Sequence, residues 1–247
     1  MILNISNHKP TVIERGVYYF NLSNYAHINT IELSKIRMFI NYEKSYGRET
    51  EIICEDEAVI AAINNADSHK FMEPTEDLFV YHATNLEAAQ KILSTGKLLS
   101  ATKAYKKTGE ELAHEKRDSL WNDPPDYFEY IMFCWGSSMT GDYVVSSEDN
   151  EGDMENGMFN AGVRFYFRYN DLIQHPKCAF DGYHPIKIKS EIVLTDYLIA
   201  CIVPKQFKNE LEGYVMSLLV SRVHCLAQNE LKLLDWNEKV SDFISRL

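Results

Sequence analysis

The chain has 247 residues, 45% of them hydrophobic, which suits one large domain, or one domain with a smaller appendage, around a well-buried core. Its formal net charge of -11 excludes a domain-wide positive field, so sequence-independent attraction to nucleic acid would need a local basic patch. Five cysteines, Cys54, Cys134, Cys178, Cys201 and Cys225, show no C-x-x-C spacing and sit mostly in apolar runs such as "IMFCW" and "IACIV"; they read as buried thiols in a reducing compartment.

The opening "MILNISNHKP" lacks a basic stretch followed by a long apolar one, and no segment approaches the length of a membrane span. A cytoplasmic protein with no membrane partner is expected. Residues 1–76 read as a unit of their own. Ile31, Leu33, Ile36, Met38, Phe39 and Ile40 recur at near-helical spacing, "TEIIC" follows as a short strand, and "EDEAVIAAIN" makes a second helix. That predicts a helix-strand-helix extension, with "DSHKFMEPTED" and its Pro74 as the connection onward. Residues 77–247 form the second expected domain. Its predicted elements are a strand "LFVYH", a helix over 86–95, strands "EYIMFCW", "GDYVVS", "VRFYFRY", "SEIVL" and "LIACIVP", and one or two closing helices in "GYVMSLLVSRVHCLAQNELKLLDWNEKVSDFISRL". Strands and helices do not alternate regularly, so a mostly antiparallel α+β fold is predicted over a doubly wound sheet.

Two polar stretches read blandly. "SSEDNEGDMENG", residues 146–157, has calcium-loop composition, but aligning Gly152 with the invariant glycine of an EF-hand puts Ser147 at the first ligand position and Met158 at the last. A solvated loop is expected. "KKTGEELAHEKRDSLWNDPPDY" mixes charges and ends in Pro124-Pro125, as a charged helix followed by a loop would. His175, Cys178 and His184 make a loose metal set without a fourth ligand, so no metal is expected.

Chemistry concentrates at three places. In "YHATNLEAAQKILSTGKLL", Thr84 and Glu87 match an S/T-x-x-E capping box, and Leu86, Ala89, Ile92 and Leu93 share a helical face that Gly96 can end in a left-handed turn. His82 then closes the strand at a rim where a helix N-terminus favours anionic groups such as a pyrophosphate; a histidine satisfied by backbone carbonyls is the plainer alternative. In "DYFEYIMFCWGSSM", Trp135 followed by Gly136, Ser137 and Ser138 offers a flat ring for stacking and hydroxyls for polar atoms, while Phe133 reads as core. In "KIKSEIVLTDYLIACIVP", Glu191 heads an apolar strand pair, either as an exposed strand-end residue or as a partly buried functional one. No G-x-S-x-G, P-loop, H-E-x-x-H or G-x-G-x-x-G occurs.

Taken in order, these three stretches resemble the ADP-ribosyltransferase superfamily, and in local wording its DarT-like branch of DNA-modifying toxins, over about residues 78–205. The resemblance implies a split antiparallel β-sheet core with flanking helices, NAD as substrate and no metal. It implies that Glu191 is catalytic and that His82 binds the adenosine ribose, with Tyr81 and Thr84 in its neighbourhood. Trp135 or Tyr143 would flank the nicotinamide, with Ser137 also in the cofactor site, and Arg117 or the acidic 146–157 loop would help select the acceptor. The arginine-rich stretch of that branch is represented here only by Lys116-Arg117, and the arginine after its middle strand is serine in "WGSSM". The implied activity is mono-ADP-ribosylation of a macromolecular acceptor, nucleic acid or protein, in a toxin-antitoxin or phage-defence setting with an antitoxin or regulatory protein as partner. Two other readings stay open: RNA 2′-phosphotransfer on a similar scaffold, for which basic residues near the motifs are too few, and a catalytically silent binding or antitoxin-type module.

Overall fold

The computed structural model describes residues 1–6, 12–14, 17–21, 30–69, 79–115, 123–148, 159–228 and 232–247. Helices and several sheets, mostly antiparallel in the second half, make the chain α+β. It divides into two compact units, the first made of residues 1–73, 101–130 and 179–187, the second of 74–100, 131–178 and 188–247. The first seventy or so residues therefore fold together with two later segments of the chain.

The first unit begins with strands β1 (Ile2–Ser6), β2 (Val12–Glu14) and β3 (Val17–Asn21), then helix α1 (Thr30–Ser45), strand β4 (Glu51–Ile53) and helix α2 (Glu57–Asn65). The expected helix-strand-helix is present as α1, β4 and α2, but it completes a four-stranded sheet of order β2-β3-β1-β4. β1 alternates half-buried and buried residues and carries parallel partners on both sides, β3 and β4. In sequence Leu3 and Ile5 alternate with Asn4 and Ser6, as a half-buried strand does, but over too few residues to stand out. Asp56 caps α2 by accepting from the Ala58 amide.

The later segments of this unit add α4 (Ala101–Tyr105), α5 (Gly109–Glu115), a 3-10 turn over Pro125–Glu129 and the loop ahead of Lys187. A buried charge cluster binds them to α1. Arg48 donates twice to Glu43, at 2.7 and 2.8 Å, and once to Asp126, which also accepts from the Tyr42 hydroxyl at 2.6 Å. Lys187 is fully buried, with Nζ 3.8, 4.1 and 4.7 Å from the ring centres of Tyr42, Tyr127 and Tyr130. It meets Asp181 at 3.0 Å as an ion pair, at an angle outside hydrogen-bond geometry. Burial lowers the Lys187 pKa and Asp181 opposes it; in turn Asp181, although buried, is held well below the usual carboxylate range by Lys187 and His184. Desolvated cation-π contacts of this kind are worth about 2 kcal/mol or more.

Strands β7 (Tyr130–Met132), β10 (Cys178–Ala179) and β11 (Lys187–Lys189) lie where the chain passes from one unit's segments to the other's. The second unit contains β5 (Phe79–Thr84), α3 (Leu86–Thr95), β6 (Lys97–Leu99), β8 (Cys134–Trp135), α6 (Thr140–Glu148), β9 (Val163–Arg168) and α7 (Tyr169–Leu172). It continues with β12 (Glu191–Val193), α8 (Leu194–Tyr197), β13 (Leu198–Pro204), α9 (Lys208–Leu211), β14 (Val223–Leu226) and α10 (Leu233–Ile244). Its main sheet has the order β14-β13-β9-β5-β8, antiparallel except for the β13/β14 pair. β9, "VRFYFR", is buried at every position but its last, as a strand covered on both faces must be. Tyr81, Tyr166, Ala200 and Ile202 meet Trp236, Val240 and Ile244 of α10, whose i, i+4, i+8 spacing forms one apolar stripe.

Several expected elements differ. "GDYVVS" lies in the helix α6: its first residue, Thr140, donates its amide to Ser138 Oγ of the serine-rich turn, and Val144 and Val145 belong to a helical turn. The apolar part of "GYVMSLLVSRVHCL" is a 3-10 turn over Ser217–Arg222 followed by β14. "EYIMFCW" is broken at Phe133 into β7 and β8. All five cysteines are free, but only Cys201 is fully buried and Cys225 is exposed, because β14 is an edge strand. Among the described residues no helix is long and apolar enough to cross a membrane. Pro74 and residues 149–157 of the acidic stretch lie outside the described residues.

Breaking a charge cluster by removing one partner strands the others in low dielectric. Arg48→Met is expected to destabilise the protein by about 2–3 kcal/mol, less than a wholly buried pair because the arginine keeps some exposure. Urea unfolding checks it; a loss below about 0.5 kcal/mol would show that the cluster is held by packing alone.

Candidate functional site

β5 carries the first candidate residues. It runs to Thr84, two residues beyond His82, because the ladder with β9 continues through Ala83↔Arg164 and Thr84↔Val163. The capping box shifts accordingly. Thr84 ends the strand, and Asn85 is the N-cap of α3, its Oδ1 accepting the Ala88 amide at 3.0 Å. Gly96 closes α3 at φ 65, the left-handed C-cap expected of it.

His82 is half-buried, and its Nδ1 lies 3.0 Å from the Met132 carbonyl oxygen. A carbonyl only accepts, so Nδ1 carries the proton and Nε2 carries the lone pair in the neutral ring. Burial lowers the imidazole pKa and the Met132 carbonyl opposes that shift only in part. The ring is therefore neutral at pH 7, with one nitrogen satisfied by backbone and the other an acceptor. The plainer reading of this histidine accounts for half of it.

Trp135 pairs across the sheet with Val80, so it shares a face with His82 two residues on. Phe133 lies on that face too, edge-on to the His82 ring at 6.3 Å and packed on Phe167 at 5.4 Å; it is fully buried, as expected of core. Trp135 is half-buried with its ring 5.1 Å from that of Tyr169. Tyr81 points to the opposite face and is fully buried, leaving no surface for a ligand. It acts on the turn instead: its hydroxyl donates to the Ser138 carbonyl at 2.8 Å and accepts from the Gly141 amide at 3.1 Å. Gly141 is fixed by this contact, since a Cβ there would stand 2.8 Å from the Tyr81 ring. The Ser137 carbonyl accepts from Asn237 Nδ2 at 2.8 Å, and Tyr143 is exposed on α6. Arg117 lies outside the described residues.

Sequence reading missed the group beneath this turn. Arg164 and Asp142 are both fully buried, and Arg164 donates through Nε and Nη2 to Asp142 Oδ2. Nη1 reaches Tyr166 at 2.8 Å and Asn237 Oδ1 at 3.1 Å, while the guanidinium lies 4.7 Å from the Tyr81 ring centre. Burial raises the Asp142 pKa and Arg164 opposes it; burial would lower that of Arg164, but Asp142 carries it above its ordinary value. Asp142 Oδ1 and the Trp236 indole nitrogen fall short of hydrogen-bonding geometry, although the indole still favours the ionised carboxylate from there. The signal in the sequence was a charge inside an apolar run, "VRFYF"; its partner was hidden by reading "GDYVVS" as a strand.

Glu191 stands on a different ladder. β12 pairs antiparallel with β6, Glu191 opposite Leu99, and the carboxylate lies 3.8 Å from Lys97 Nζ with 29% of its side chain exposed. Both ends of this ladder lead into the main sheet, β6 through α3 from β5, and β12 through α8 into β13. Arg222 fixes the second link by donating to the carbonyls of Leu194, Thr195 and Leu198. Ser190, just before Glu191, has φ 75, a conformation that costs a non-glycine residue about 1–3 kcal/mol. Its carbonyl accepts from the Ser100 amide at 2.7 Å, which holds the strained residue in place.

The second unit also holds a cleft of about 330 Å3, lined by Asn85, Leu86, Glu87, Val145 and residues 160–162 and 206–207. It opens at the carboxyl end of β5, and none of His82, Trp135, Ser137, Tyr143 and Glu191 lines it. Among the described residues no group of three or more histidine, cysteine or acidic side chains is placed to hold a metal ion. Compared with known protein families, curated proteins and solved structures, the chain matches none.

The strain at Ser190 is testable by itself. Ser190→Gly is expected to leave stability unchanged or raise it, and Ser190→Val to lower it by about 1–3 kcal/mol, both read by thermal unfolding. Equal effects of the two substitutions would mean that the residue relaxes out of the left-handed region.

Proposed function

We propose that the chain is an NAD-dependent mono-ADP-ribosyltransferase, with the second unit as its catalytic part on an ADP-ribosyltransferase-like split sheet. The observation that carries this reading is the state of His82: a neutral imidazole, fixed by a backbone carbonyl through Nδ1–H, whose Nε2 is left to accept from a hydroxyl. A ribose supplies such a donor. Trp135 on the same face of the sheet supplies an aromatic surface for a heterocycle.

In this reading the bond between nicotinamide and ribose C1′ breaks, and its electron pair leaves with the nicotinamide. The sugar passes through an oxocarbenium-like state, which a carboxylate stabilises while accepting a hydrogen bond from a ribose hydroxyl. Glu191 is the residue assigned to that task, with Lys97 Nζ 3.8 Å from its carboxylate. The acceptor's nucleophilic atom then bonds to C1′ and loses its proton. The acceptor is a macromolecule, with a toxin or phage-defence effector as the biological setting, and an antitoxin-type protein as the partner that would restrain it. The charge of -11 leaves nucleic acid and protein acceptors as the two arms of the test.

Incubation with labelled NAD and separate pools of DNA, RNA and protein is expected to move label into one pool. Glu191→Gln is expected to reduce that transfer by about 100-fold or more while retaining NAD binding. Unchanged transfer would remove Glu191 from the chemistry. His82→Ala is expected to weaken NAD binding about tenfold, as loss of a buried hydrogen bond does. Because burial lowers the His82 pKa, wild-type affinity should stay flat from pH 8 down through the ordinary imidazole range near 6.5 and fall only below it, as Nε2 becomes protonated. Calorimetric titration across pH checks both; affinity that already falls between pH 8 and 7 would contradict the assignment.

A further inference from the structure

We infer that the cleft at the carboxyl end of β5 receives an uncharged nucleobase. Its polar lining is dominated by carboxamides, those of Asn85, Asn160 and Gln206, beside the ring of Phe207 and the apolar side chains of Leu86 and Val145. Among the described residues no lysine or arginine lines it, and the carboxylate that does, Glu87, is engaged by Lys91 at 2.6 Å. A phosphate or carboxylate ligand would find no cationic side chain there among the described residues, only the partial charge at the start of α3, where the Ala88 amide is already taken by Asn85. What carboxamides recognise is a planar edge that alternates donors and acceptors, which is how asparagine and glutamine read base edges. An aromatic ring at the wall adds a stacking surface.

Two of the amides are already ordered. Gln206 donates through Nε2 to Gln228 at 2.7 Å, and Gln228 donates in turn to the Phe159 carbonyl at 3.2 Å, which fixes the Gln206 amide with its Oε1 as acceptor. Asn85 spends Oδ1 on the α3 cap, so its amino half is what the cleft can use. One acceptor and one donor thus stand at set positions before a ligand enters. Gly162 lines it as well: a Cβ there would lie 2.8 Å from the Thr84 carbonyl oxygen, so the end of β5 and the approach to β9 pass close together at this wall. The volume is at the low end of the range for ligand clefts, suited to one heterocycle.

This site is distinct from the His82 face, and the inference stands whether or not His82 holds a ribose. The test titrates the full chain with adenosine, guanosine, cytidine and thymidine, following the Val145 methyl resonances, beside Gln206→Leu, Phe207→Ala and His82→Ala. At least one nucleoside is expected to shift the Val145 methyls with millimolar affinity. Gln206→Leu, at an exposed position, should weaken that binding about fivefold or more, and His82→Ala should leave it unchanged. An oligonucleotide of the preferred base then separates sources: tighter binding than the nucleoside assigns a strand, and equal or weaker binding assigns a free nucleoside. The inference is overturned if no nucleoside moves Val145, or if the binding survives Gln206→Leu and Phe207→Ala intact. Adenosine binding abolished by His82→Ala but untouched by Gln206→Leu would overturn it too, by placing the base at the His82 face.

Discussion

The buried pair Arg164–Asp142 is the constraint on which the second unit depends. Arg164 belongs to β9, the strand between β5 and β13, and Asp142 to α6, the helix that follows the Trp135-Gly136-Ser137-Ser138 turn. Two full charges in this interior are stable only when their hydrogen bonds are answered. Here the guanidinium is answered by Tyr166, by Asn237 of α10 and by the face of Tyr81, and Asp142 by Arg164 itself through Oδ2. The same Asn237 and Tyr81 then hold the carbonyls of Ser137 and Ser138. One interaction therefore fixes sheet, closing helix and turn together, and with them the position of Trp135 relative to His82.

The other unit solves the same problem by the same means. Lys187 is enclosed by the rings of Tyr42, Tyr127 and Tyr130 and meets Asp181, as Arg164 lies against Tyr81 and meets Asp142. In each case a cation buried among tyrosines, rather than added aliphatic packing, specifies which segments belong together. The first unit gathers residues far apart in sequence, 1–73 with 101–130 and 179–187, around such a group. One of the strained backbone positions, Ser190, stands beside Glu191, where the ladder to β6 and the three carbonyl contacts of Arg222 keep the Glu191 strand in place.

What the sequence made legible was local. The glycine stop of α3, the apolar run of β9 and the strands of β12 and β13 follow from spacing and composition, so they were readable from neighbours a few residues apart. The α3 cap was misplaced by one residue because Thr84 and Asn85 are both good caps and only the length of the β9 ladder decides between them. β1 to β3 escaped notice because each is only three to five residues long, too short for its pattern to stand out, and β1 takes its partners β3 and β4 from further along the chain. α6 was read as a strand because "DYVV" has strand composition, and tertiary packing through Asp142 overrides it. The ion pair itself joins residues 22 apart through the fold, and nothing near either residue announces the other.

The central claim is that His82 is a neutral acceptor turned toward a nucleotide ribose. Its most direct measurement is nitrogen-15 NMR of the His82 imidazole, with and without NAD. The account predicts the Nδ1–H tautomer at pH 7 in the free protein, and a shift of the Nε2 resonance toward that of a hydrogen-bonded acceptor when NAD is added. An imidazole protonated on Nε2, or nitrogen resonances indifferent to NAD, would contradict it.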